Sequence, residues 1–348
     1  MKELTVKQND AGQRLDRFVG KAVPLLPDSL LQKYIRLKRI KLNGKGAKRD
    51  TRLCAGDVLQ LYINDEFFEK PREENSWLKV GTPRLEIVYE DENILLADKK
   101  PGVLCHSAGV WDYNTLIANI QAYLAQKGEW KPKEENSFAP ALCNRIDRNT
   151  GGIVIAAKNA ESLRILNDKI KDREIDKYYL CAVQGRPKPA QGRLENYLFK
   201  DAQKNQVYVK KSPEPGAKTA VTEYRTLCSK GALSLVECHL LTGRTHQIRA
   251  HLQDLGISIV CDPLYSGNQK PVRLSDIKRS YRGDVFEERP LLARLGLHAY
   301  QLSVVHPETK ERMTFTAPYH RDMDALRKQL FKLYKVDPLA QSEEAEEN

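Results

Sequence analysis

The 348 residues predict an α+β protein: a mixed, largely antiparallel sheet with flanking helices, preceded by a small α/β module. Three observations carry this expectation. Adjacent strand-like runs dominate the second half, at 219–228 with 232–241 and at 297–306 with 312–317. Helical patterns are fewer and do not alternate strictly with strands, which favours hairpins over a purely parallel sheet. The first 63 residues carry short helices, short strands and a charge balance of their own.

In the front segment, Leu15, Phe18 and Val19 share one face of a short helix. Asp28 or Ser29 then opens a second helix with Leu30, Leu31, Tyr34 and Ile35 at helical spacing. Ile40–Gly44 reads as a strand entering a turn, and Val58–Ile63 as a second strand. Residues 64–83 read as a linker, acidic at first and then punctuated by Pro71, Gly81 and Pro83. A larger domain is expected over 84–320. It holds strands at 85–89 and 94–97, a helix from Asn114 to Gly128, a buried strand at 152–157, and a helix capped by Asn159. The stretch 266–290 reads as a long basic loop, and 321–348 as a C-terminal helix ending in an acidic tail with Glu343, Glu344, Glu346 and Glu347.

The charge is unevenly spread. Lys and Arg number 57 against 46 Asp and Glu, a net +11. Residues 1–63 hold 14 basic and 6 acidic side chains, so +8 of that excess lies at the front. Lys33, Arg36 and Arg39 recur at i, i+3 and i+6, and Lys41, Lys45, Lys48 and Arg49 follow around Asn43-Gly44. A generic charged helix face is solvated, but this density suits a polyanion. The N-terminus lacks an apolar signal core, and no apolar run approaches a membrane span. The seven cysteines form no CxxC pair. A reducing cytoplasm, no disulfide framework, no metal, no membrane association and a monomer are therefore expected. His246 and His251, five apart, do not share the i, i+4 face of a metal pair.

The candidate chemistry sits in three polar runs. Cys143-Asn-Arg-Ile-Asp-Arg-Asn-Thr-Gly-Gly152 sets Asp147 between Arg145 and Arg148 just before a buried strand. Cations on both sides keep a carboxylate ionised, which suits a nucleophile or base; Gly151-Gly152 is expected to leave room for a substrate backbone. Asp176-Lys-Tyr-Tyr-Leu-Cys-Ala-Val-Gln-Gly185 is a strand with paired tyrosines. Leu241-Thr-Gly-Arg-Thr-His-Gln-Ile-Arg-Ala-His-Leu252 runs from a strand into a helix, with Thr245 as the expected N-cap and Arg244 and Arg249 near its positive end.

The front segment, with Arg14-Leu-Asp16 and Ile40-Lys-Leu-Asn-Gly44, resembles the small RNA-binding domain named for the fourth protein of the small ribosomal subunit. The three polar runs, taken in order, resemble the core motifs of RluA-type pseudouridine synthases. Glu92–Gly102 and Leu295–Leu302 resemble the flanking runs of that family, in the RluC/RluD arrangement. The chain departs from the family at Asn144, where His is usual, and at Thr150-Gly151-Gly152, where Thr-Ser-Gly is usual; both bear on loop geometry.

The resemblance implies isomerisation of uridine to pseudouridine in RNA, with no cofactor and with large-subunit ribosomal RNA favoured over transfer RNA. It implies that Asp147 is the essential nucleophile or base, that Arg249 is its salt-bridge partner, and that Tyr179 stacks on the base and is a candidate proton acceptor. Arg145 and Arg244 are implied in phosphate contact or base displacement, and Lys33, Arg36, Arg39, Lys41, Lys48 and Arg49 in RNA binding. A non-catalytic RNA-binding or assembly factor is the competing expectation. A hydrolase built on Cys105-His106 or on the pair His246 and His251 is a weaker one, because adjacency in sequence is not dyad geometry and the chain lacks metal-ligand spacing and a nucleophile elbow.

Overall fold

The computed structural model describes residues 1–68, 72–109, 112–267, 270–284 and 287–331; the acidic tail lies outside these. Two sheets organise the chain. The front sheet holds four strands, β1 (Lys2–Thr5), β2 (Ile40–Leu42), β3 (Lys45–Gly46) and β4 (Val58–Leu61), in the order β1-β4-β2-β3. Strand β1 goes beyond the two strands read from sequence. Helices α1 (Leu15–Ala22) and α2 (Asp28–Arg36) cover the sheet, and Leu15, Phe18, Leu31, Ile40, Leu59 and Leu61 close its core. The β2–β3 hairpin turns through Asn43 (φ +49°) and Gly44 (φ +78°), both in the left-handed region that a two-residue hairpin loop requires.

The basic row differs from a helical stripe. Helix α2 ends at Arg36 because Lys38 enters the left-handed region (φ +54°), so Arg39 lies beyond the helix, with its guanidinium over the Tyr34 ring. Leu37, just past the end of α2, is exposed.

The second sheet has eleven strands, the expected mixed, largely antiparallel architecture. They are β5 (Ile87–Glu90), β6 (Ile94–Lys99), β7 (Ala141–Leu142), β8 (Gly151–Ala157), β9 (Asp176–Gln184), β10 (Gln191–Asp201), β11 (Gln206–Lys210), β12 (Lys218–Lys230), β13 (Leu233–Leu240), β14 (Leu297–Val305) and β15 (Arg312–Thr316). The main path runs β11-β10-β12-β13-β9-β14-β8-β6-β5, with β15 on β14 and β7 on β8. Every pairing is antiparallel except β14 with β8. Strands β6 and β8 are buried along their whole length, which explains their continuous apolar runs.

Helices α3 (Leu116–Lys127), α4 (Ala160–Lys171), α5 (Gln247–Asp254), α6 (Leu274–Ile277) and α7 (Arg321–Phe331) pack around this sheet. Asn159 caps α4 as expected, accepting the Ser162 amide at 2.9 Å. Thr115, rather than Asn114, caps α3, and Gly128 closes that helix at φ +79°. The stretch 64–83 contains short 3-10 segments, and Trp77 meets the edge of Trp130 at 5.4 Å. The basic stretch after 266 is partly folded: α6 forms there, and Val272 and Ile277 join a core with Leu326 and Leu330 of α7. Among the described residues no helix is long and apolar enough to cross a membrane.

Two histidines tie this fold to pH. His251 and His298 are 1% and 0% exposed, and burial holds each pKa down to about 4. Their folded forms favour neutral rings, while the unfolded chain protonates them near pH 6.5. Stability is therefore full above about pH 6.5 and falls between there and pH 4 by roughly 1.4 kcal/mol per pH unit for each ring. Denaturant midpoints measured at pH 7, 5.5 and 4.5 should decline on that slope, and a flat profile would contradict it.

Candidate active site

Asp147 stands in the loop between β7 and β8, Tyr179 on β9, and Arg249 in the first turn of α5. Strand β14 brings the first two together, since Ala299 pairs with Gly152 on one side and Tyr179 on the other. All three side chains line one cleft of about 220 Å³, together with Arg145, Arg244 and Lys177.

Arg249 is the fixed point of the cleft. Its Nε and one Nη donate to the two carboxylate oxygens of Asp262, each at 2.7 Å, and its other Nη donates to Asp147 Oδ2 at 3.1 Å. Asp262 is fully buried and Arg249 nearly so, and the guanidinium lies 4.9 Å from the Tyr265 ring centre. Burial opposes the charge on Arg249, but the hydrogen bonds and charge of Asp262, followed by Asp147, outweigh it and raise its pKa. A bidentate pair also fixes the orientation of the guanidinium plane, so the free N–H has one direction in which to meet Asp147.

The Asp147 loop is held from its other side by Lys99. Its ammonium donates to the carbonyls of Lys100 (3.1 Å), Val103 (2.8 Å) and Arg148 (3.0 Å), and burial lowers its pKa to about 8. The Gly102 amide also donates to Arg148 O at 2.8 Å. Lys99 is thus a buried clasp on the loop. Within the loop, Asn144 Oδ1 accepts the Ile155 amide at 2.9 Å, so the residue that departs from the family pattern ties the loop to β8.

Gly151-Gly152 does not make room for substrate. A Cβ on Gly152 (φ +115°) would lie 2.1 Å from Ala299 O, and one on Gly151 would lie 2.7 Å from the His320 ring. Gly152 lets β8 and β14 approach, and Gly151 leaves room for the His320 ring.

Tyr179 is buried, and desolvation followed by the nearby Asp147 charge raises its pKa, so its hydroxyl keeps its proton. Tyr178 faces the other side of the sheet, stacked on His239 with ring centres 4.4 Å apart. Arg145 and Arg244 reach the cleft from exposed positions, Arg244 with its Nε on Thr219 O at 3.0 Å.

Thr245 is not the cap of α5. His246 occupies that position at φ +51°, and Gln247 Oε1 closes the turn by accepting the Arg244 amide (3.0 Å) and the Thr242 hydroxyl (2.7 Å). Cys105 gives its thiol to Ile146 O at 3.4 Å, burial raises its pKa, and His106 is exposed; the two form no dyad. The basic front residues Lys33, Arg36, Arg39, Lys41, Lys48 and Arg49 lie in the front module, on α2, β2 and the loops beside them; Arg36, Lys48 and Arg49 border a groove between α2 and the turn after β3.

A family model described as RNA pseudouridylate synthase matches residues 93–254, which include Asp147, Tyr179 and Arg249. An uncharacterized RNA pseudouridine synthase of Chlorobaculum parvum is 31% identical over 324 residues, covering 92% of this chain and 95% of its own. The chain belongs to the RNA pseudouridine synthases. It is therefore an isomerase, and the competing non-catalytic and hydrolase readings fall away. A ribosomal large subunit pseudouridine synthase D of Neisseria meningitidis serogroup A is 30% identical, with 92% of this chain and 79% of the relative covered. A ribosomal large subunit pseudouridine synthase C of Vibrio vulnificus is 29% identical, with 92% and 93% covered. The fold matches that of human RNA Pseudouridylate Synthase Domain Containing 4 with a TM-score of 0.55 at 21% identity, over 74% of this chain and 97% of that one.

Four residues of the candidate site were given no role there by the sequence. Asp262 anchors Arg249; its only local signal is an acid ending the apolar run Ile257–Cys261. Tyr265 covers the guanidinium and takes the Val207 amide at 2.7 Å. His246 Nε2 lies 3.8 Å from Asp147 and its Nδ1 3.1 Å from the Tyr265 hydroxyl; burial lowers its pKa. Lys177 precedes Tyr179 by two residues and so shares its face of β9, and burial lowers its pKa as well.

Replacing Arg249 by Met should leave Asp262 buried and unpaired, at a cost of about 3–5 kcal/mol. Asp262→Asn should also lower activity although Asp262 does not line the cleft. Denaturant unfolding and initial rates on the two variants would check this; wild-type stability in Arg249→Met would refute the anchoring role.

Proposed function

We propose that this synthase converts uridines of large-subunit ribosomal RNA to pseudouridine, with Asp147 as its essential nucleophile or base. The observation that carries the reading is the Asp147 carboxylate, aimed into a basic cleft by a guanidinium that is itself locked on buried Asp262. The target class is supported by the names of the large-subunit relatives, which align with this chain over 92% of its length.

The reaction breaks the bond from uracil N1 to the ribose, turns the base, and joins C5 to the same sugar carbon, with the C5 proton lost and a proton gained at N1. Atoms balance within the nucleotide, so the chemistry calls for no redox partner. Asp147 acts at the sugar, either by direct attack or by drawing off a proton on a glycal-like route. Arg249 keeps the carboxylate aimed. Tyr179, whose hydroxyl holds its proton, serves as the platform for the detached base more readily than as a proton acceptor. The uridine has to leave its stack to reach this depth, and Arg145 and Arg244 at the cleft mouth are suited to its flanking phosphates.

Residues 1–63 form the RNA-gathering domain in this reading, using Lys33, Arg36, Arg39, Lys41, Lys48 and Arg49. Residues 84–320 form the catalytic domain, joined through 64–83 and followed by the C-terminal segment 321–348. The protein works as a monomer in the cytoplasm.

Asp147→Asn should abolish pseudouridine formation while RNA binding and the unfolding midpoint stay near wild type, as the side chain is partly exposed and accepts one described hydrogen bond. Turnover by that variant would remove Asp147 from the mechanism. Deleting residues 1–63 should weaken RNA binding and flatten its dependence on salt, because released counterions set that slope. An unchanged slope would reduce the front charge to a solvated face.

A further inference from the structure

We propose that a polar clamp centred on Asp10 fixes the front module against the large sheet unit, and that this fixed separation helps select which uridines reach Asp147. The inference rests on the reading that the front module gathers RNA.

Asp10 is 0% exposed, yet most of its partners belong to the other unit. Its Oδ1 accepts the Ser137 hydroxyl at 2.6 Å, and its Oδ2 accepts the Asn136 amide at 2.8 Å and its own module's Lys7 N–H at 3.2 Å. The same Asn136 amide donates to Thr5 O at 2.8 Å, and Gln13 Nε2 donates to the Ser137 oxygen at 2.9 Å. Around this centre, Asn9 donates to Glu135 Oε1 at 3.0 Å, Lys7 Nζ donates to Glu134 O, and Arg164 of α4 donates to Ala11 O at 2.8 Å. Every side-chain hydrogen bond described for Asn136 and Ser137 crosses to the front module.

Such an interface has one register. Ser137 donates to Asp10 while accepting from Gln13, so a shift of one residue would take from a buried carboxylate both donors that cross from the large unit and leave its Oδ1 unpaired. A module tethered only by its connector needs no such matching. The connector is pinned as well: Gln126 donates to Gly81 O at 3.0 Å, and the Arg84 amide donates to Asn119 at 2.9 Å. Two attachments, one on 134–137 and one on α3, restrain rotation as well as distance. RNA held on the basic groove then presents its uridines to the cleft from a set separation, and the ordering cost is met in folding instead of at binding. Asp10, Asn136 and Ser137 are positioning residues, since none lines the cleft.

The test is the full-length Asn136→Ala/Ser137→Ala double variant. Cys54, exposed on the front module, and a cysteine introduced by Glu195→Cys on the exposed face of β10 would carry spin labels. Pulsed EPR should give one narrow distance distribution for the parent and a broad one for the double variant, with Ser137→Thr, which keeps the hydroxyl, remaining narrow. Kinetics on RNA from cells lacking the enzyme should show KM raised about tenfold, the equivalent of one to two hydrogen bonds, at unchanged kcat. On a short stem-loop carrying one unmodified target uridine, KM should stay the same. Pseudouridine mapping should reveal additional modified sites.

A distribution that stays narrow overturns the clamp. A broadened distribution with unchanged KM and unchanged sites overturns its role in selection, and an equal loss on both RNAs assigns the residues to the fold of the large unit. Loss of the RNA-gathering reading itself would appear separately, as an unchanged salt slope on deleting residues 1–63.

Discussion

A single guanidinium, buried between two carboxylates, ties this active site to the fold. Asp262 has no access to water, so its charge is tolerable only while Arg249 holds both of its oxygens. With that pair made, the remaining N–H of Arg249 points at Asp147, and helix α5, the 262–265 segment and the 143–150 loop share one geometry. The stacked Tyr265 ring covers the guanidinium and keeps the cation dry, which strengthens its hold on both acids. The more exposed side of the arrangement is the Asp147 carboxylate, the group proposed to act at the sugar.

The same loop is anchored a second time by backbone. Lys99 gathers three carbonyls from two turns, and Gly152 lets β8 pass so close to β14 that no side chain could stand between them. Asp147 therefore sits on a loop whose two ends are fixed to buried strands, the arrangement in which a reactive group can be both accessible and precise. Polar matching at the Asp10 joint extends the logic from one side chain to a whole module: hydrogen bonds with a single register define position where apolar packing would allow sliding.

Much of the fold was legible because its signals are local. Continuous apolar runs marked β6 and β8, alternation marked the late hairpins, and Asn159 and Gly128 marked helix ends. The misreadings have separate physical causes. Thr245 looked like a cap and Arg39 like a helix residue, but His246 and Lys38 take left-handed backbone, which periodicity does not show. Gly151-Gly152 looked like space for substrate, when a neighbouring strand distant in sequence fills it. Strand β1 was missed because four residues at a sheet edge, exposed on most positions, carry little hydrophobic pattern.

The order of Arg145-Ile-Asp147, Lys177-Tyr-Tyr179 and Arg244-Thr-His-Gln-Ile-Arg249 was enough to name the chemistry, because each run keeps its functional groups within a few residues of one another. The concentration of +8 in the first 63 residues was likewise a property of the chain alone, since charge counts do not depend on folding. What only the tertiary structure decided is which groups make the first ones work. Asp262 lies 115 residues from Asp147, and Ser137 lies 127 from Asp10. Their roles come from burial, which turns an ordinary acid or hydroxyl into an obligatory partner, and burial is a property of the folded chain.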